Sequence, residues 1–206
     1  GCPTQSNAVF WNSNDQYAMD PSYFPMTYYN LCGDSEEVVT GFGKQYDDLI
    51  LFKNYSVGKL VFDVQTVDER DSISFTYQRI NSKIGCDLPW SIQLVENNLV
   101  FCNTSRGVHY VASSSAAYEN NIICISDKVN GEGGTGLLRD IRNADVVTST
   151  DDNERYWLCA GDHVYLWDYH VSAAGDPSWF FFTGVAGIAY FHDASNQLYH
   201  LDASGR

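Results

Sequence analysis

The sequence predicts an all-β protein built from a repeated unit of antiparallel strands, as in a β-propeller. Three observations support this prediction. Short apolar runs recur roughly every 50 residues, which is a repeat length typical of propeller blades. Each run is followed by a turn rich in Gly, Asn, Ser or Asp and then by a strand with alternating polarity, which is the signature of a β-hairpin. Helical periodicity is nearly absent.

Three hairpins form the centre of three full repeats. In each one the first strand is a continuous apolar run, as expected for a strand buried on both faces, and the second strand alternates. The hairpins are LILF from Leu49 with LVFDV from Leu60, LVFC from Leu99 with VHYV from Val108, and YWLC from Tyr156 with HVYLWDY from His163.

Further strands flank each hairpin and complete units of four. The segments SIQLV and ADVVTST precede the second and third hairpins, and SISFTYQRI, NIICISDKV and SWFFFTGV follow the three hairpins in turn. The predicted repeats are 34–82, 83–129 and 137–185. The segment LLRDIRNA from Leu137 predicts either one short turn of helix or the entry into the third repeat.

The segments at the two ends of the sequence are interpreted as half-repeats. Residues 1–33 hold NAVFWNSN and YFPMTYYNL, which resemble a third and a fourth strand, and residues 186–206 hold GIAYFHD and NQLYHLD, which resemble a first and a second strand. The two halves would form either one composite blade, giving about four blades, or parts of a larger ring. We interpret residues 1–206 as a single domain that belongs to a longer protein.

The pair Trp167-Asp168 does not indicate the WD40 family, because the Gly-His partner of that family's signature is missing from each repeat. We predict that Trp167 is a core aromatic on a third strand, filling the gap between neighbouring blades.

Composition and charge exclude several classes of protein. The 206 residues carry a formal net charge of -14, so the chain repels phosphate backbones, and we expect neither direct nucleic-acid binding nor binding to anionic membranes. No apolar run approaches the roughly 20 residues that span a bilayer.

The six cysteines show no CxxC spacing typical of zinc or redox sites. Cys102, Cys124 and Cys159 lie in strand-like segments, so we predict buried, reduced thiols and an intracellular origin.

No catalytic, metal or cofactor site is predicted. The cluster DDNER, residues 151–155, is interpreted as a solvated hairpin turn, because the spacing of a calcium loop is missing. The glycine-rich loop NGEGGTG, residues 130–136, lacks the GK[ST] of a phosphate-binding loop. The candidate carboxylates for a glycosidase pair are Asp48, Asp63, Asp87, Glu96, Asp168 and Asp193. Asp48, Glu96 and Asp193 recur near the first turn of each repeat and are interpreted as turn residues. His163, His170, His192 and His200 show no zinc-binding spacing.

Four segments resemble a family of tailed-phage structural proteins. They are VFWNSNDQYAMDPSYFP, VTGFGKQYDDLILFK, INSKIGCDLPWSIQLVENNLVFCNTSRGVHYV and RYWLCAGDHVYLWDY, and the similarity runs along most of the chain. Members occur in phage and prophage structural gene clusters and are described as stabilisation or head–tail connection proteins with propeller-like folds. The resemblance brings no catalytic residues.

The resemblance implies a non-enzymatic virion component, assembled in the bacterial cytoplasm, that contacts other phage structural proteins or further copies of itself. An alternative is a carbohydrate-binding or glycan-cleaving propeller module of a phage tail, using exposed aromatics and carboxylates. The candidate partner-contact residues are aromatics in the long segment before Leu31: Tyr17, Tyr23, Phe24, Tyr28 and Tyr29.

Overall fold

The computed structural model describes most of the chain, namely residues 5–12, 22–67, 70–115, 117, 121–132, 135–185 and 187–202. These residues form an all-β structure in which every predicted hairpin is present. The strands make three four-stranded antiparallel sheets and two separate strand pairs. The prediction of four-stranded antiparallel units is therefore confirmed.

The N-terminal pair consists of β1, Ala8–Phe10, and β2, Tyr29–Leu31. The two strands are antiparallel, and Phe10 lies opposite Tyr29. The backbone N–H of Cys32 donates to the Asn7 carbonyl at 2.9 Å, which continues the pairing beyond the strand ends.

Sheet I contains β3, Val39–Gln45, β4, Asp48–Lys53, β5, Val57–Val67, and β6, Arg70–Asn81. The strands lie side by side in chain order. β4 is buried along most of its length because it packs between neighbours on both faces.

Sheet II is preceded by a 3₁₀ turn, Pro89–Ser91, and contains β7, Gln93–Val95, β8, Asn98–Asn103, β9, Gly107–Val111, and β10, Ile122–Cys124. Its strands also follow chain order. Proline is favoured at the start of this turn because its ring fixes φ near the helical value.

Sheet III follows a helix, α1, Gly136–Asn143, and contains β11, Val147–Asp152, β12, Arg155–Ala160, β13, His163–Asp168, and β14, Trp179–Thr183. Of the two predictions for LLRDIRNA, the helix is therefore correct. Leu137 and Ile141, four residues apart on one face of α1, are buried in the core.

The C-terminal pair consists of β15, Ala189–His192, and β16, Leu198–Leu201. Asp193 directly follows β15, and its carboxylate accepts hydrogen bonds from the backbone N–H groups of Ser195 and Gln197 at 2.8 and 2.9 Å. This confirms Asp193 as a turn residue.

Two tight turns fix the register of the first hairpin in sheets II and III. Glu96 and Asn97 join β7 to β8 with φ of 48° and 68°, and Asn153 and Glu154 join β11 to β12 with φ of 49° and 60°. Two consecutive residues with positive φ are typical of the hairpin turn that matches strand twist. The prediction that DDNER forms a hairpin turn is confirmed.

The sheets are stacked through three apolar layers. One layer joins the N-terminal pair to sheet I, a second joins sheet I to sheet II, and a third joins sheet II to sheet III. Neighbouring residues of one strand lie in different layers, because successive side chains point to opposite faces of a sheet. Principal members are Val9, Leu51 and Leu60 in the first layer, Ile50, Phe52 and Phe101 in the second, and Val100, Tyr156 and Leu158 in the third.

Trp167 belongs to the third layer, as predicted. It is 1% exposed, and its ring meets Tyr110 of sheet II edge-on at 6.1 Å. Its indole N–H donates to the Ser172 carbonyl at 3.2 Å.

The first strands of successive sheets form a row of contacts from β3 to β7, from β7 to β11 and from β11 to β15. Within the described residues no contact of similar extent joins β15 to β3, and β1 and β16 are not hydrogen-bonded.

None of the described helices is long and apolar enough to cross a membrane.

Four of the cysteines, Cys32, Cys86, Cys102 and Cys159, are buried free thiols, and Cys124 is half-buried and also free. Burial raises the pKa of Cys32 to about 11 and that of Cys86 to about 12, because a thiolate loses hydration in the core. The sixth cysteine, Cys2, lies outside the described residues.

Candidate protein-binding surface

The hairpin of β5 and β6 extends well beyond the rest of sheet I. Pairing between β4 and β5 ends at Leu49 with Leu60, whereas β5 and β6 stay paired as far as Val67 with Arg70. Residues 61–67 and 70–76 therefore form a two-stranded arm, which at about 3.3 Å per residue is roughly 23 Å long. An isolated two-stranded ribbon is marginally stable, so this arm depends on what packs against it.

The N-terminal pair packs against the base of this arm through aromatic rings. Trp11 meets Phe75 of β6 edge-on at 5.2 Å between ring centroids, and it lies 6.2 Å from Tyr28. Phe75 in turn meets Phe62 of β5 at 5.7 Å. The side-chain amide of Asn30 donates to the Phe75 carbonyl at 2.6 Å, which fixes the pair at this height of the arm.

The arm also exposes apolar side chains. Phe62 is 55% exposed and Val64, two residues further along the same face, is 47% exposed. We call Trp11, Tyr28, Phe62, Val64 and Phe75 the arm surface. Phe62 and Val64 are exposed, whereas Trp11, Tyr28 and Phe75 are half-buried. Exposed apolar patches are common at protein-binding sites, and aromatic residues are enriched in such interfaces.

A buried lysine ties the N-terminal pair to sheet I. The ammonium of Lys53, on β4, has no exposed surface; it donates to the Cys32 carbonyl at 2.7 Å and to the Glu37 carboxylate. It also lies 5.1 Å from the ring centroid of Tyr77. Gly33, with φ of 69°, makes room for this group, because a Cβ there would lie 2.6 Å from the ammonium.

Arg79, on β6, extends this network to the surface. Its guanidinium pairs with Asp34 at 2.9 Å and with Glu37 at 3.3 Å. The hydrogen bond and charge of Arg79 lower the pKa of Asp34. Burial raises the pKa of Glu37, but the hydrogen bond and charge of Lys53 and the charge of Arg79 outweigh it, so the net shift is downward. Both carboxylates therefore stay ionised when the pair is docked.

The structure divides the five predicted contact residues. Tyr28 belongs to the arm surface, and Tyr29 lies on the opposite face of the pair, with its ring 5.5 Å from Phe10. Tyr23 and Phe24 are exposed in the segment before β2, each at 53%. Tyr17 lies outside the described residues.

Sequence reasoning missed the arm residues Phe62, Val64 and Phe75. The available signal was the alternation in LVFDVQTV and SISFTY, which continues for longer than a strand of ordinary length. The predicted contact residues came from a single segment, whereas the surface also includes residues of β5 and β6, which belong to the next repeat.

A second polar cluster lies outside this surface, between α1 and β13. The buried carboxylate of Asp140, on α1, accepts hydrogen bonds from the Tyr165 hydroxyl at 2.6 Å and from Arg139 at 2.7 Å, and it lies 3.0 Å from Nδ1 of His163. A cavity of about 360 Å³ lies beside the cluster, and no Ser, Thr, Cys or Lys is among the described residues that line it. The arrangement ties the helix to β13.

Two of the carboxylates considered for glycoside hydrolysis form ion pairs with basic residues of neighbouring strands. Asp48 lies just after its turn and pairs with Lys59 at 3.2 Å, and it also accepts from Ser114. This differs from the predicted bond to turn backbone, because Lys59 on the neighbouring strand lies within reach. Asp168 pairs with Arg155 at 3.0 Å.

The histidines and the acidic turn, for which no metal site is predicted, form local pairs. His192 lies 3.0 Å from Asp152, and Asp151 accepts from Tyr169 at 2.8 Å. Among the residues that the structure describes, no group of three or more His, Cys, Asp or Glu could hold a metal ion.

Comparison with models of known protein families and with curated proteins finds no match to this chain.

Proposed function

We propose that this chain is a non-enzymatic structural component of a tailed-phage particle, which stabilises or connects parts of the neck or tail through protein–protein contacts. The observation that carries the proposal is the arm surface: a projecting two-stranded ribbon whose apolar face is exposed at Phe62 and Val64. Exposed aromatic and aliphatic side chains on a projecting arm suit binding to another protein. The four segments that resemble tailed-phage structural proteins are the reason for proposing a phage particle.

We also propose that the three sheets are neighbouring blades of a β-propeller. Two features support this arrangement. The sheets follow one another in chain order and stack face to face through apolar layers, and their first strands contact each other in sequence. A propeller is a rigid body with short protected edges, which suits a part that must hold its shape in an assembly.

The charge of the chain fits a place in such a particle. A net charge of -14 gives no attraction for nucleic acid, so the partners are other phage structural proteins or further copies of the chain. The location is then the virion, after assembly in the bacterial cytoplasm.

The carbohydrate-active alternative receives less support. It requires an acidic pocket with two carboxyl groups roughly 5–10 Å apart and flanked by aromatics. Instead, Asp48, Glu96 and Asp193 lie at the hairpin turns of different sheets.

Mass spectrometry of particles purified from the source phage or induced prophage tests the role, with copy number from peptide counting. We expect the chain to be present at a multiple that matches neck or tail symmetry. Its absence from complete particles, with the protein free in the lysate, would refute the role.

The arm surface is tested by Phe62→Ser, which removes an exposed ring without opening the core. We expect the variant to fold normally and to enter particles at a reduced copy number. Tyr55→Ser is the matched control, because Tyr55 is 67% exposed in the β4–β5 turn and lies outside the arm surface. Equal incorporation of the Phe62 variant and the wild type would show that the arm is not the binding site.

A further inference from the structure

The N-terminal pair and the C-terminal pair have the positions of two halves of one four-stranded sheet. β15 contacts β11 as β11 contacts β7 and as β7 contacts β3, so β15 has the place of a first strand and β16 that of a second. β2 contacts β6, the last strand of sheet I, and Val9 of β1 packs in one layer with Leu51 and Leu60 of sheet I. β1 and β2 therefore have the places of a third and a fourth strand.

The free edges of the two pairs are the edges that such a sheet would join. Among the described strands, β16 pairs with β15 alone and β1 pairs with β2 alone. In each complete sheet the second strand pairs with the third. The missing pairing is therefore that of β16 with β1, and unpaired edges of this kind bind further strands.

The N-terminal pair leaves one apolar face uncovered. Side chains alternate along β1, and since Val9 packs against sheet I, Phe10 lies on the opposite face. Tyr29 and Leu31 of β2 share that face, because they lie opposite Phe10 and Ala8. Phe10, Tyr29 and Leu31 are each at least 40% exposed.

Sheet III leaves a matching face uncovered on its last strand. Phe180 and Phe182 lie opposite Leu166 and Val164, on the face turned away from Tyr165, which packs toward sheet II. Both phenyl rings are more than 40% exposed. A third and a fourth strand added to the C-terminal pair would lie over this face, as β1 and β2 lie over sheet I.

The C-terminal pair repeats the pattern on its own outer face. Phe191 and Tyr199 stack at 5.6 Å and are about half exposed, on the face opposite Tyr190. On sheet I, Phe42 lies on the face of Leu51, toward the N-terminal pair, and it is 48% exposed. A first strand beside the N-terminal pair would cover Phe42.

The two pairs are held at opposite ends of the row of sheets. Lys53 and Arg79 fix the N-terminal pair on sheet I, while Cys159 and Asp152 of sheet III contact the C-terminal pair and the segment leading into it. Among the described residues, β15 and β3 do not contact each other to the extent that first strands within the row do. The sheets therefore form an open row whose two ends are complementary. Complementary ends on one chain make a head-to-tail interface, which closes into a ring or continues as a filament.

We propose that a second copy of this chain completes the row, with β16 of each copy pairing with β1 of the other. Each copy then supplies three complete sheets and shares two joint ones, so that the dimer has about eight sheets, which is within the four to eight blades of known propellers. The joint buries the free edges and the exposed aromatic residues of both ends together. This inference rests on the proposed ring arrangement of the sheets, but it does not depend on the virion role, which the particle experiment tests separately.

Cross-linking tests the pairing directly. Ala8→Cys on β1 and His200→Cys on β16 are prepared as single variants of the 206-residue chain, mixed, and treated with a short bismaleimide. We expect a cross-linked dimer in the mixture. The wild type controls for native thiols, and a mixture of Ala8→Cys with Ser105→Cys, an exposed position in the β8–β9 turn, controls for random collision.

Light scattering on the wild type supplies the second readout. We expect twice the chain mass of 23.1 kDa. Phe10→Ser and Phe180→Ser should each weaken the dimer at least tenfold while leaving the circular dichroism spectrum unchanged. Phe62→Ser is the control, because Phe62 is exposed to a similar extent but lies on the arm.

A monomeric mass together with an internal cross-link in the Ala8→Cys/His200→Cys double variant would overturn the second copy and leave a ring closed within one chain. Absence of any cross-link between these positions would overturn the pairing of β16 with β1 itself.

Discussion

Lys53 allows the most quantitative test of how the N-terminal pair is held. Its ammonium is completely buried, and it is bonded to the Cys32 carbonyl and the Glu37 carboxylate. Replacing it by Met keeps the length of the side chain but removes the charge and the donors. Glu37, which is 12% exposed, then keeps only Arg79 as a charged partner, at 3.3 Å.

Removing one partner of a buried ion pair costs about 3–5 kcal/mol, because the other charge stays buried without compensation. Arg79 compensates part of that charge, so we expect Lys53→Met to lower the free energy of unfolding by about 3 kcal/mol. For a chain of this size the melting temperature should fall by roughly 6–12 °C.

Urea-induced unfolding followed by fluorescence measures this change, and hydrogen exchange of β1 and β2 locates it. Lys59→Met is the matched control, because Lys59 forms a half-exposed pair with Asp48 and should cost less than about 1 kcal/mol. If Lys53→Met costs no more than Lys59→Met, the network does not anchor the N-terminal pair.

Three further predictions concern the same half of the molecule. Gly85→Ala should destabilise the fold by about 1–3 kcal/mol in urea unfolding, because the new Cβ would lie 2.2 Å from the Lys53 carbonyl oxygen. Gly175→Ala is the control: a Cβ there would have no atom within 4 Å, so stability should change by less than about 1 kcal/mol. Folding lowers the pKa of Asp34 and Glu37 below their ordinary values of 3.8 and 4.5. The stability that these two carboxylates contribute is therefore complete above their ordinary pKa values and is lost as the pH falls through the lower pKa values of the folded state. Unfolding free energies measured down to about pH 3 should fall less steeply for Glu37→Gln than for wild type. Cys86, with its pKa raised to about 12, should resist iodoacetamide in the folded protein and react after unfolding, as peptide mass spectrometry can measure.

The hairpins could be predicted from sequence because their information is local. LILF, LVFC and YWLC are short apolar runs bounded by turn residues, and such runs occur where a strand is buried on both faces. The burial of Trp167 followed from its place on an alternating strand. For these elements a window of about ten residues contains the decisive pattern.

The anchoring network could not be predicted in this way. Lys53 bonds to residues 16 and 21 positions away, and Arg79 to residues 42 and 45 positions away. A lysine at the end of an apolar strand predicts a solvated charge, and only the approach of the Cys32 carbonyl and Glu37 makes its burial possible. The arm surface was missed for a similar reason, since it brings together strands from two repeats.

The two faces of the N-terminal pair are physically coupled. The face toward sheet I is held by the Lys53 network and by Val9, and the face away from sheet I presents Phe10 and Tyr29. A strand pair of three residues per strand is not stable alone, so the outer face exists as a binding surface only while the inner face stays docked. Lys53→Met should therefore weaken the dimer as well as the fold, although the side chain lies on the other side of the pair. A dimer of unchanged affinity in this variant, with β1 and β2 exchanging freely, would show that the outer face does not take part in association.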